Sequence, residues 1–152
     1  MLLVALLACK DACPDDAPVT LELGTGSDAY RPMADGAELT GIMGPQFGWH
    51  FELALRGAGF TDDAEVQIVG VQGDEVVLDQ LSYGRFRCRA EVLEALDIRM
   101  FPQHVLDTSD PDFDWDTWER DVEGPVDLTV TVTDEEGDTA AASTTWDLRS
   151  PI

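Results

Sequence analysis

The sequence predicts an all-β protein, an antiparallel β-sandwich of about seven strands with one short helix or helical turn. Apolar and polar residues alternate along several short runs, which is the pattern of strands with one buried face. Turn signals rich in glycine and aspartate recur about every ten residues between these runs. The chain closes with two alternating runs around the turn 134–138, the pattern of a β-hairpin. Short strands at this spacing favour two packed sheets.

The segment 44–57 carries the strongest strand signal, and we expect it to be the central strand. It begins with a Gly-Pro turn and continues with apolar residues at every second position: Trp49, Phe51, Leu53 and Leu55. Because side chains alternate between the two faces of a strand, these residues would face the core. His50 falls on the opposite face, where we expect a surface or groove residue rather than a metal ligand.

The other strands of the first half of the chain are shorter. Residues 19–23 alternate and begin the fold, and residues 34–39 indicate a turn that leads into a short strand. Residues 65–71 and 75–79 predict two strands joined by a hairpin turn at residues 72–74.

Residues 82–89 predict one further strand, with an unusual distribution of charge. Phe86 and Cys88 would lie on one side, and three basic residues on the other: Arg85, Arg87 and Arg89. Opposite charges on adjacent strands stabilise a sheet, so we expect these arginines to pair with neighbouring carboxylates. A recognition site for an acidic ligand is the alternative.

The segment that follows gives the best helical signal, and the last segment the clearest hairpin. Residues 90–96 read AEVLEAL, which predicts a helix of about two turns. In the hairpin, alternate residues of both strands are apolar: Val126, Leu128, Val130 and Val132, then Ala140, Ala142, Trp146 and Leu148. We expect this face to meet the face of the central strand, so that the two together form the core.

The N-terminus has the pattern of a secretion signal. Residues 1–8 are apolar throughout, and Leu6-Leu7-Ala8-Cys9 resembles the lipobox of bacterial lipoproteins. The resemblance implies a signal peptide at 1–8, a lipidated Cys9 with a tether at 9–18, and a folded domain at 19–152. Lys10 directly after the cysteine is typical of outer-membrane retention in that family. No basic residue precedes the short apolar run, and a start site placed too far downstream would explain this departure.

The cysteine count fits an oxidising compartment. The chain has three cysteines, and a lipid on Cys9 would leave Cys13 and Cys88 free to form a disulfide. Such a bridge would join the tether to a strand of the core. The alternative is that Cys13 is a free thiol and Cys88 a small buried apolar residue.

An acidic segment at 107–121 is the strongest candidate for chemistry. Four aspartates recur at every second position and could supply carboxylate oxygens to Ca²⁺: Asp110, Asp112, Asp114 and Asp116. An EF-hand is excluded, because the sixth position counted from Asp112 is Thr117 instead of glycine. The alternative is a connection between the sheets with a helical turn capped by Ser109, whose apolar residues Trp115, Trp118 and Val122 pack on the core.

The net charge of −22 limits the range of partners. A field of this sign repels nucleic acid and favours cations or basic proteins. The two histidines lie in no zinc-binding motif, and no serine-hydrolase motif is present. We therefore expect a monomeric protein that is not an enzyme and that has no cofactor, apart from the calcium candidate.

Two stretches resemble known bacterial proteins. The hairpin around residues 128–140 is similar to the last two strands of immunoglobulin-like domains in bacterial surface proteins. The turn Gly44-Pro45-Gln46 followed by Gly48-Trp49-His50 resembles uncharacterised lipoproteins of myxobacteria. The resemblance implies an immunoglobulin-like sandwich in the cell envelope, anchored in the outer membrane by its lipid and acting as a binding or structural module. The alternatives are a secreted hydrolase that uses carboxylates, or an accessory subunit of a surface assembly.

Overall fold

The chain folds into two β-sheets. The computed structural model describes residues 13–14, 17–44, 49–102 and 122–151, and this part of the chain contains no helix. Its eleven strands are β1 (Thr20–Thr25), β2 (Arg31–Pro32), β3 (Glu38–Thr40), β4 (Ile42–Met43), β5 (Trp49–Ala58), β6 (Asp63–Gln72), β7 (Glu75–Arg85), β8 (Arg87–Arg89), β9 (Val92–Met100), β10 (Glu123–Asp134) and β11 (Thr139–Arg149). Seven of these have six residues or more, as the sequence predicts, and four are shorter.

The order of the strands in the two sheets identifies the fold class. One sheet runs β2-β1-β5-β9-β8, with β4 also paired to β5, and the other runs β3-β11-β10-β6-β7. In immunoglobulin lettering the first sheet contains A, B, E and D, and the second contains G, F, C and C′. The prediction of an immunoglobulin-like sandwich is therefore confirmed, and β5 lies in the centre of its sheet.

One strand pair departs from the antiparallel pattern. The chain leaves the first sheet after β2, and β3 then runs parallel to β11 at the border of the second sheet. The remaining pairs among the described residues are antiparallel.

The core lies between the two sheets and matches the predicted faces. Phe51, Leu53 and Leu55 of β5 are fully buried, and so are Val130 and Trp146 of the closing hairpin. These residues belong to one apolar cluster that draws on both sheets. β10 alternates strictly because its outer face of aspartate and threonine is solvated and its inner face is buried.

The prediction of a helix at 90–96 is wrong. Ala90 and Glu91 form a two-residue turn with φ of 49° and 68°, and the rest of the segment belongs to β9. Both turn residues therefore adopt the left-handed conformation of a tight hairpin between β8 and β9. Alanine, glutamate and leucine favour helices, but pairing with β5 on one side and β8 on the other overrides that preference.

The prediction of a single strand at 82–89 is also wrong, because the chain changes sheets at Phe86. Arg85 ends β7 in one sheet, whereas Arg87 and Arg89 lie on β8 in the other. Phe86 is almost fully buried at the crossing, and its backbone N–H donates to the carbonyl oxygen of Asp62 at 2.6 Å. The alternation continues through the crossing, so the sequence pattern does not show it.

Candidate functional site

A disulfide joins the start of the described chain to the first sheet. Cys13 and Cys88 are bonded, with a Cα–Cα distance of 5.5 Å and a sequence separation of 75. Both side chains are half-buried and pack against the core cluster. This bridge differs from the disulfide of antibody domains, which links strands B and F across the core. Here it fixes the segment before β1 to β8.

The same end of the sandwich holds the segment 17–19 in place. Gly59, in the loop between β5 and β6, has φ of 76°, and a Cβ there would lie 2.5 Å from the carbonyl oxygen of Ala17. Glycine is required because both the backbone conformation and the close approach exclude a side chain. Next to it, the rings of Phe60 and Phe86 meet edge to face at 4.8 Å. We call this region the tether end: the disulfide, residues 17–19 and the loop 59–62.

Asp134 fastens the closing hairpin to the tether end. Its carboxylate accepts backbone N–H bonds from Thr61 at 2.9 Å, Glu136 at 3.0 Å and Asp138 at 2.9 Å. Burial raises the pKa of Asp134, since the charged form loses hydration, but the three N–H donors outweigh burial and the net pKa is lowered. The side chain therefore remains ionised and ties the turn 135–138 to the loop 59–62.

Charges of alternating sign form a row across the outer face of the first sheet. The register aligns Glu22 of β1, Arg56 of β5, Glu94 of β9 and Arg87 of β8. Glu94 is only 7% exposed and binds Arg56 at 2.7 Å. The hydrogen bonds that the Arg56 guanidinium donates to this carboxylate raise the pKa of Arg56. The sequence predicted cross-strand ion pairs of this kind for Arg85, Arg87 and Arg89, and not for Arg56.

Arg85 and Arg89 lie beside different carboxylates. Arg85 lies 3.6 Å from Asp63 in the second sheet, with both side chains exposed. Arg89 lies 4.0 Å from the buried Glu94 in the first sheet. Because the three arginines belong to two sheets, they do not form the single basic stripe that the sequence suggested.

A groove of about 750 Å³ lies where β6, β7 and the closing hairpin meet. Its lining includes the polar or charged side chains of Asp63, Glu65, Tyr83, Arg85 and Glu135. None of its described lining residues is a histidine, cysteine or serine. The groove thus combines carboxylates with one exposed aromatic ring, which suits binding of a cationic group better than nucleophilic chemistry.

The structure describes only some of the residues that the sequence singled out. Cys9 lies outside the described residues, and so do Asp110, Asp112, Asp114 and Asp116 with the rest of their segment. Within the described ranges, no group of three or more histidine, cysteine or acidic residues is placed to hold a metal ion. His50 is 9% exposed, and its ring lies tilted against that of Phe101 with 5.8 Å between the centroids, so of the two expected positions, surface or groove, the surface position is wrong.

Sequence reasoning missed two features of the surface. The pattern at 134–138 predicts only a turn for Asp134, although a position at the end of an alternating strand, followed by Glu-Glu-Gly, is where a side chain can accept turn N–H bonds. Leu81 and Tyr83 on β7 are 51% and 80% exposed. Their two-residue spacing was the available signal, since it places two large apolar side chains on one strand face.

Comparison with known proteins adds little. No protein-family model matches the chain, and no curated protein matches it. Among solved structures, the CooA pilin subunit from enterotoxigenic Escherichia coli is similar over 89% of this chain and 99% of its own, with 9% identity and a TM-score of 0.33. A likeness at this level supports no conclusion about function. Within the described residues, no helix has the length and apolar character needed to cross a membrane.

Proposed function

We propose that this chain is an envelope lipoprotein, anchored in the outer membrane through a lipid on Cys9. Its immunoglobulin-like domain acts as a binding or structural module and not as an enzyme. The domain would lie outside the reducing cytoplasm, with its acidic surface exposed to solvent. The relationship to myxobacterial lipoproteins belongs to the same proposal and rests on the lipobox pattern and the turn at residues 44–48.

The disulfide between Cys13 and Cys88 is the observation that carries this proposal. Disulfides of this kind persist in the periplasm and at cell surfaces, whereas cytoplasmic thiols are kept reduced. The bridge also uses the second and third cysteines of the chain and leaves Cys9 without a partner among them. A lone cysteine behind an apolar run and an alanine is the acceptor that lipidation requires in the resembled family.

The spacing of the cysteines suits a domain held close to a membrane. Cys13 follows Cys9 by four positions, and an extended chain of this length spans at most about 14 Å. Because Cys13 is bonded to β8, a lipid on Cys9 would keep the tether end within that distance of the membrane surface. The opposite end of the sandwich would then point into solvent.

Membrane fractionation of the native protein and of its Cys9→Ser variant tests the proposal. We expect the native protein in the membrane fraction, with an N-terminal peptide that begins at a lipid-modified Cys9. The variant should leave the membrane fraction, because a single serine removes the acceptor and leaves the disulfide intact.

A matched control separates anchoring from folding. Cys13→Ser with Cys88→Ser removes the bridge and keeps Cys9, so this double variant should remain in the membrane fraction. The proposal fails if the native protein is soluble and still begins at Met1, or if Cys9→Ser fractionates like the native protein.

A further inference from the structure

Strand β7 forms the outer border of its sheet and presents large apolar side chains. Within the described residues β7 pairs with β6 only, over the whole length from Glu75 to Arg85. Leu81 is 51% exposed and Tyr83 is 80% exposed, and both project from the outer face of the sheet. A long border strand with free backbone groups is a template for pairing with another strand.

The strand has few of the features that usually prevent such pairing. Proteins protect sheet borders with short strands, prolines, charged side chains, bulges or a covering loop. The eleven residues of β7 include no proline and no lysine, and the register irregularity with β6 lies at Gly70/Val71, opposite its first residues. Within the described residues, the half from Asp79 to Arg85 is therefore regular, and its two charged residues are of opposite sign.

This half of β7 is complementary to a second copy of itself. In an antiparallel pair whose two-fold axis passes through Ser82, each residue faces the one equally distant on the other side of the axis. Tyr83 then faces Leu81 of the second copy, and Arg85 faces its Asp79. By symmetry each of these pairs occurs twice. An aromatic-aliphatic pair and an opposite-charge pair are the cross-strand combinations that stabilise sheets.

The inner side of the same register is also compatible. Ser82 faces its own copy on the axis, and Gln80 faces Gly84, which has no side chain. Moving the axis by one residue in either direction breaks the outer pairs. An axis through Leu81 places Tyr83 opposite Asp79, and an axis through Tyr83 places Arg85 opposite Leu81.

We propose that two copies of this chain associate through β7, antiparallel about Ser82, and so join their five-stranded sheets into one continuous sheet. The dimer replaces the monomer that composition suggests, and it does not depend on lipidation at Cys9. It would cover Leu81 and Tyr83 and give Arg85 a carboxylate partner in addition to the exposed Asp63.

The net charge of −22 per chain opposes this association at long range. Salt should therefore strengthen the dimer, since at about 0.5 M ionic strength the Debye length is well below the ~10 Å of 0.1 M salt. Short-range pairs within the interface lie at contact distance and are screened less than the repulsion between whole domains. Association that strengthens with salt is a signature that the proposal requires.

A cysteine on the axis tests the register. In the full chain carrying Cys9→Ser, Ser82→Cys places two thiols opposite each other, at a Cα–Cα distance of about 4.5–5.5 Å in an antiparallel pair. That distance lies within the range of disulfides, so mild oxidation should give a covalent dimer as the main product. Thr129→Cys, exposed on the outer face in the middle of the same sheet, is the control and should crosslink at least about tenfold less under the same conditions.

A charge swap tests the pairing itself. Arg85→Asp would face Asp79 of the second copy twice and should raise the dimer dissociation constant at least about tenfold, as measured by analytical ultracentrifugation. Asp79→Arg combined with Arg85→Asp recreates the opposite-charge pair and should restore association. Arg31→Asp makes the same change of charge on the far border of the other sheet and should leave dimerisation unchanged.

Three results would overturn the proposal. These are a protein that stays monomeric up to about 1 mM in 0.5 M salt, equal crosslinking at positions 82 and 129, and a charge swap that fails to restore an association lost in Arg85→Asp. Melting curves of each variant show whether it is folded, and the crosslinking experiment does not require any change of charge.

Discussion

Replacing the buried carboxylate of Asp134 should loosen the tether end of the sandwich. In Asp134→Asn one oxygen becomes an amide nitrogen, which donates hydrogen bonds and cannot accept them. Oδ2 accepts from Thr61, and Oδ1 accepts from Glu136 and Asp138. Whichever way the amide lies, at least one backbone N–H of these three loses its acceptor.

The expected loss of stability in Asp134→Asn follows from the burial of the site and from the charge of the acceptor. Hydrogen bonds to ionised groups contribute about 1.5–3 kcal/mol, and Asp134 is only 6% exposed, so solvent replaces little of the loss. We expect Asp134→Asn to lower the free energy of unfolding by about 2–3 kcal/mol. In a protein of 152 residues this corresponds to a melting temperature lower by about 4–10 °C.

The loss of stability in Asp134→Asn should become smaller as the pH falls. The folded-state pKa of Asp134 is lowered from its usual value, so the stabilising contribution is complete above the unfolded pKa of about 4 and is lost as pH falls through the folded pKa. Denaturant titrations at pH 7 and at about pH 3 should therefore show the native protein and the variant converging in acid.

A matched control accounts for the change of net charge. Glu135→Gln removes one negative charge from the same turn at an exposed side chain. It should leave stability within about 0.5 kcal/mol of the native protein or slightly above it, because it reduces the repulsion. The reasoning is refuted if Asp134→Asn behaves like Glu135→Gln, or if its effect is the same at both pH values.

Four further predictions concern stability, each measured by denaturant unfolding. Ala90→Asn with Glu91→Gly should stabilise the chain by about 1–2 kcal/mol, because both positions have left-handed φ values that asparagine and glycine adopt more readily; a destabilised variant would contradict this turn. Glu94→Ala should cost about 1–2 kcal/mol, a modest loss because Arg56 is 37% exposed and water partly replaces its partner. An unchanged stability would contradict a stabilising role of the charge row. Tyr30→Phe should cost about 1 kcal/mol through the buried bond from the hydroxyl to the carbonyl oxygen of Leu23, and an unchanged stability would contradict that bond. Reduction of the disulfide should cost about 4–5 kcal/mol in the chain-entropy model, and equal stability with and without reductant would show that the bridge does not form.

Strands whose residues alternate between apolar and polar could be predicted from the sequence, including β5, most of which is buried on both faces, whereas β9 could not. β10 alternates strictly because water covers its outer side, and the pattern gives its inner face, although the strand begins at Glu123, three residues before the alternation at Val126. In β9 the outer position of Glu94 is buried by Arg56 and Arg89 from neighbouring strands. Alternation is then lost, and the remaining alanines, leucines and glutamates favour a helix. The partner that binds Glu94 most closely, Arg56, is 38 residues away in sequence, beyond the reach of a local pattern.

The candidate site also contains residues whose role the sequence predicted and residues whose role it did not. The cysteine count, together with the lipobox, pointed to the pair Cys13 and Cys88, because chemistry limits what three cysteines can do. The role of Asp134 depends on a donor at Thr61, 73 residues earlier, which no local pattern contains. The arginines near Cys88 alternate as one strand would, yet the burial of Phe86 sends the chain from one sheet to the other between them.

The central claim is that this sandwich is exported, bridged between Cys13 and Cys88, and held by a lipid on Cys9. Intact mass measurement of the native protein, extracted from membranes and alkylated without reductant, tests all three parts together. We expect a chain that begins at Cys9, carries the mass of attached lipid and takes up no alkylating reagent. A chain that begins at Met1 and takes up three equivalents of the reagent, one for each cysteine, would contradict the account.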